Sequence, residues 1–78
     1  MIKIDILTPE WSRSVEADAV FIPGAMGEFE VLKNHAPIIS TLVSGSIRWR
    51  LDEKEESLAV KGGVVHLKNN IMRICAEV

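Results

Sequence analysis

Ile2, Ile4 and Ile6 alternate with Lys3 and Asp5, and that period of two recurs almost to the end of the chain. Phe29 and Val31 alternate with Glu28 and Glu30. Ile47, Trp49 and Leu51 alternate with Arg48 and Arg50, and Val65 and Leu67 with His66 and Lys68. Successive side chains of a strand point to opposite faces, so each such run offers one face to a core and one to water. No stretch has the spacing of an amphipathic helix. Turn formers fall between the runs: Thr8-Pro9-Glu10, Pro23-Gly24 to Gly27, Lys33-Asn34 to Pro37, Ser44-Gly45, Gly62-Gly63 and Asn69-Asn70. Proline cannot donate to a ladder, and asparagine tolerates a left-handed backbone. The pattern predicts an all-β chain: a small, flattened β-sandwich or barrel of about eight to ten short strands, forming a single domain over residues 1–78. Within it, Val15 to Pro23 reads as one run, Asp52 to Glu56 as a solvated hairpin tip, and Trp11 to Ser14 as unpatterned.

A domain of 78 residues buries only about 60–65% of the surface its unfolded chain exposes, which leaves little material for a deep cleft. The formal net charge of −2 provides no footprint for nucleic acid or anionic lipid. No apolar run approaches the ~18 residues of a membrane span, and the N-terminus lacks a leader layout. The one cysteine, Cys75, excludes an internal disulfide framework and favours a reducing compartment. These features describe a soluble, intracellular domain.

The residues that could carry chemistry are few. Cys75 lies in an apolar terminal run without a nucleophile elbow or protease signature, so it reads as a small packing hydrophobe. His35 and His66 have no ligand partner at useful spacing, and no metal site is expected. Glu28 and Glu30 share a strand face, but no third group makes them an acid–base pair. "IRWR" is the one basic-aromatic cluster, and alternation turns Trp49 toward the core and both arginines away, against nucleic-acid stacking. Gly24 to Gly27 has neither the lysine nor the following helix of a phosphate cradle. No cofactor or small-molecule substrate is implied. Phe29, Val31 and Leu32 read as core.

Taken in order, "IDILTPE", "EADAVFIPGAMGEFEVLKNHAP", "GSIRWR" and "KGGVVHLKNNIMRICAE" resemble the β-sandwich domain of the epsilon subunit of bacterial F-type ATP synthases. Pro23-Gly24, Gly27-Glu28-Phe29, Val31-Leu32 and His35-Ala36-Pro37 match at the family's spacing, and the resemblance spans essentially the whole chain. It departs at Glu30, where glycine is common, at Lys33-Asn34 in place of Pro-Gly, at Lys61 in place of serine, and at His66 in place of a frequent acidic residue.

The resemblance implies a non-catalytic rotor subunit of the central stalk, joining the gamma subunit to the c ring of a proton- or sodium-translocating synthase. Its place would be the cytoplasmic face of the bacterial inner membrane, peripheral and without direct membrane insertion. Glu28 and His35 carry over as ring-facing, and Thr8, Ile39 and Ser40 as gamma-facing. Pro23, Gly24, Gly27, Asn34, Pro37, Gly62 and Gly63 carry over as turn-shaping. Many relatives continue into a C-terminal helical hairpin; if the 78 residues are the whole product, inhibition and nucleotide sensing by that hairpin are absent. Two other readings stand beside this one. A stand-alone protein- or carbohydrate-binding sandwich needs an exposed aromatic platform, for which Trp11 is the unassigned ring. A cysteine-dependent enzyme needs a reactive Cys75.

Overall fold

The computed structural model describes all 78 residues and contains nine strands and no helix. They are β1 (Ile2–Leu7), β2 (Ser12–Ala17), β3 (Ala19–Gly24), β4 (Gly27–Leu32), β5 (Ile38–Leu42), β6 (Gly45–Leu51), β7 (Lys54–Val60), β8 (Gly62–Lys68) and β9 (Ile71–Glu77). Hydrogen bonding links them into one curled sheet in the order β2-β1-β9-β8-β5-β3-β6-β7, with β4 paired to β3. The curl brings β2-β1-β9-β8-β5 over β4-β3-β6-β7. Sixteen buried residues form one core between them, with Ile4, Ile74 and Leu67 from the first layer meeting Val20, Val31 and Ile47 from the second. All pairings are antiparallel except β1 with β9, where Lys3 lies beside Ile71 and Leu7 beside Cys75. Overall extents of 26 × 23 × 19 Å make the body closer to a barrel than to a slab.

The alternation selects the core as expected: Ile2, Ile4 and Ile6 are fully buried, as are Ile47 and Val31. Four local expectations change. Val15 to Pro23 is two strands, because the chain crosses between layers at Asp18. There the Asp18 amide bonds the Arg50 carbonyl at 2.8 Å and the Asp18 carboxylate accepts the Asp52 amide at 3.1 Å. The β6–β7 hairpin turns within Asp52–Glu53, and Lys54 to Glu56 already belong to β7. Leu32 is 52% exposed, since it follows the inward Val31 and so points outward at the end of β4. Cys75 is exposed for the same reason: Ile74 and Ala76 take the core side.

The loops gather at two ends. Thr8–Trp11, Ala25–Met26, Val43–Ser44 and Lys61 lie at one end; Asp18, Lys33–Pro37, Asp52–Glu53 and Asn69–Asn70 lie at the other. No helix is long and apolar enough to cross a membrane.

Candidate docking faces

The outer surfaces of the two layers differ in character. On the β4-β3-β6 side, Arg48 bonds Glu28 at 2.7 Å and reaches Glu55 at 3.5 Å. The guanidinium of Arg48 also lies 4.5 Å from the Phe21 ring centroid, with Arg50 on the same ring at 5.9 Å. Cross-strand register explains the arrangement, because Phe21 stands opposite both Glu30 and Arg48. Each exposed pair contributes about 0–1 kcal/mol. Their common effect is a charged face centred on Arg48.

The outer face of β1-β9-β8-β5 is composed differently. Here Leu7, Cys75 and Val64 are direct cross-strand neighbours. Ile39 lies diagonal to Val64 across β5–β8, whereas Ile71 stands apart between Lys3 and Lys68, with Arg73 between it and Cys75. Leu7, Val64, Ile71 and Ile39 are 43%, 48%, 43% and 78% exposed. This apolar row was not legible from alternation alone. Its trace is a set of apolar doublets, Ile6-Leu7, Ile38-Ile39 and Val64-Val65, in which one member faces the core and the other faces out. No aromatic platform accompanies it: Trp49 is buried, Phe21 lies under arginine, and Trp11 stands alone at 39% exposure.

The open side of the barrel lies between edge strands β2 and β7. Arg13 spans it to Glu56 at 3.1 Å, and the buried Trp49 indole N–H donates to the same carboxylate at 3.1 Å. The Arg13 bond, and then the indole bond, hold the Glu56 carboxyl below its ordinary value. Both donors stabilise the charged form.

The residues carried over from the sequence fall at separate places. Glu28 stands near the start of edge strand β4, and His35 in the corner beyond its other end. The Nδ1–H of His35 donates to the Ala36 carbonyl at 2.8 Å. Its corner is pinned by Asn34, at φ 63°, whose amide bonds the Asn70 side chain at 2.6 Å while the Asn70 side chain donates back at 3.0 Å. The Thr8 hydroxyl donates to the Trp11 carbonyl at 2.9 Å and accepts the Trp11 amide at 3.0 Å, so it organises its own loop. Ile39 points outward, whereas Ser40 is half-buried on the opposite side of β5. Pro23 is buried and packs where a Cβ on Gly45 would fall; a Cβ on Gly24 would meet the Phe29 ring. Gly27 takes φ 120° and Gly63 φ 145°, both outside the usual range of other residues. Nothing crowds Gly62 beyond ordinary contact, and Pro37 lies in the corner before β5. His66 and Cys75 share the outer face, but neither histidine bonds the thiol.

Such geometry defines an all-β sandwich or barrel domain formed by one curled sheet. The chain belongs to the family described as the ATP synthase delta/epsilon chain, beta-sandwich domain, which its residues 1–78 match. It is 36% identical over 77 residues to the ATP synthase epsilon chain of Leptospira interrogans, covering 97% of this chain and 61% of that relative. It is 42% identical over 62 residues to the epsilon chain of Desulfitobacterium hafniense, covering 80% of this chain and 47% of that one. The chain thus spans about half to three-fifths of the length of these relatives. The fold recurs in the mitochondrial ATP synthase of Euglena gracilis, with TM-score 0.89 and 19% identity over 96% of this chain and 49% of that one. It recurs again in the central stalk and c-ring structure of the Tetrahymena thermophila enzyme, with TM-score 0.82 and 12% identity over 99% of this chain and 63% of that one.

Proposed function

We propose that this domain is a non-catalytic rotor element of an F-type ATP synthase, coupling the gamma subunit to the c ring at the cytoplasmic face of a bacterial inner membrane. The observation that carries the assignment of faces is their asymmetry. The β1-β9-β8-β5 face exposes apolar side chains with no internal partner, whereas the opposite face is built around Arg48, its two acids and the Phe21 ring. Large exposed apolar patches mark protein contacts. Gamma therefore docks on the apolar face, with Ile39 inside the contact and Thr8 shaping a loop at its margin.

The ring contact runs along the β4 edge. That edge carries Glu28 near one end and His35 beyond the other, with Glu30 and Leu32 exposed between them. Polar and charged side chains suit a ring surface exposed to water, since such contacts set register more than affinity. A small, close-packed body transmits load with little deformation.

Co-expression with the gamma subunit of the same genome, followed by gel filtration, tests the reading. A one-to-one complex is the expected result, and separate elution of two folded proteins counts against it. Charge reversal in Glu28→Lys is expected to lower ion-driven ATP synthesis in the assembled enzyme. Its thermal stability should change by no more than about 1 kcal/mol, because the lost Arg48 pair is exposed; a large melting shift makes Glu28 structural instead.

A further inference from the structure

The proposed gamma-docking face has a chemical gradient along its strands. Toward the Thr8–Trp11 end it is apolar, with Leu7, Cys75 and Val64 side by side. Toward the Asn69–Asn70 end, Ile71 is flanked across the ladders by Lys3 and Lys68, and Arg73 stands beside His66. A shallow hollow of about 300 Å³ opens there, lined by His66, Lys68, Asn69, Ile71 and Arg73.

No carboxylate lines the hollow, and none answers its cations. The molecule's ion pairs are Arg13–Glu56, Arg48–Glu28 and Arg48–Glu55, so Lys3, Lys68 and Arg73 are all unpaired. Asp5 lies beside Arg73 in the β1–β9 register and accepts the Ser14 hydroxyl at 2.6 Å, but it closes no ion pair with Arg73. Glu16 stands opposite Lys3 on the outermost strand, and Glu77 is at the far, apolar end. On the other layer Arg48 is paired with two acids, while Arg50 and Lys54 form no ion pair. Here the donors converge on an empty hollow beside an apolar row.

We infer that the partner surface on this face is an apolar strip bordered by carboxylates, with an aspartate or glutamate side chain seated between Lys68 and Arg73. The inference rests on the rotor reading and specifies the chemistry that gamma must present. Arginine and lysine around a shallow pocket hold a carboxylate by charge-assisted hydrogen bonds, and electrostatic matching of this kind fixes the register of an otherwise sliding apolar contact. An anionic lipid headgroup shares the charge but fits the face less well. The apolar residues of this face are leucine, isoleucine and valine, with no exposed aromatic ring among them, and the chain's net charge of −2 repels an anionic membrane.

The test is titration of the gamma subunit with the wild-type chain and with Lys68→Glu and Arg73→Glu, at about 50 mM and about 500 mM salt. Ser57→Glu, on the opposite layer, is the control. Each reversal is expected to weaken binding roughly tenfold or more, and the wild-type affinity to fall with salt, while the control binds as wild type. Lys68→Gln and Arg73→Gln, with smaller losses in the same order, cover the case of a reversal that fails to fold. Tight binding that ignores both charge and salt overturns the inference and leaves the rotor reading intact. Absence of binding by the folded wild type overturns both. Vesicles with about 30% anionic lipid form the last arm: binding to them that depends on Lys68 and Arg73, without any such dependence toward gamma, reassigns the hollow to lipid and overturns the proposal.

Discussion

Single residues here divide into those that hold the backbone and those that face outward, and the two respond differently to substitution. Gly63 belongs to the first group. At φ 145°, a Cβ would collide with the Cys75 carbonyl on the neighbouring strand, so Gly63→Ala combines backbone strain with a steric clash. A loss of about 2 kcal/mol or more is expected in urea unfolding, and an unchanged midpoint would show that the ladder can shift. Glu56 belongs to a side-chain bridge instead. Arg13 and then the Trp49 indole lower its pKa from the ordinary 4.5, so the charged form is bound more tightly in the folded state than in the unfolded one. The resulting stability is present above that ordinary value and is lost as the pH falls through the lower, folded one. Melting temperature measured between about pH 3 and pH 7 should therefore fall more steeply on the acid limb in the wild type than in Glu56→Gln. The difference should shrink with added salt, as the carboxylate is exposed.

Elements, in turn, are set by alternation and confined by their turns. Asn34 and Asn70 connect two turns that are distant in sequence, and Asn70 also lends its carbonyl to the Lys3 amide at 2.9 Å. Asn70→Ala removes the reciprocal side-chain bonds and places alanine at φ 60°. It is expected to cost roughly 1–2 kcal/mol and to speed amide exchange at residues 34–36 ahead of the β8–β9 strands; uniform acceleration would mean the corner is not a separate unit. Strand existence was legible in the sequence because one face of each run is buried and the other is not. The inward side of β6 follows directly from Ile47 and Trp49. The break at Asp18 was less legible, since it is a crossing between layers and leaves no interruption in the apolar residues around it. Alternation with His66 and Lys68 does turn Val65 inward and Val64 outward, but it does not distinguish Ile39 from Ile38. Register across neighbouring strands decides which member is outside, and register is a tertiary property. For the same reason Glu28 and His35 could be named from the chain but not recognised as the two ends of one edge.

At the scale of the molecule, two faces with different demands occupy one small body. Cys75 reports on the apolar one without perturbing it: its exposed thiol is expected to react with a maleimide in the folded state and to be shielded once gamma is bound. Reaction only after denaturation would contradict the exposure, and unchanged labelling in the complex would move the contact elsewhere. The position of β9 carries one more consequence, for how the protein is made. This strand lies between β1 and β8, at the centre of its layer, although it is the last of the nine to be synthesised. A nascent chain that has reached Asn70 holds β1 and β8 with nothing between them, and the core lacks Met72, Ile74 and Ala76. Its folding is dominated by contacts between distant segments and must wait until the ninth strand has cleared the ribosome. Until then the apolar residues of β1 and β8 are open to chaperones, and truncation before Ile71 should yield a substrate for proteolysis rather than a smaller sandwich.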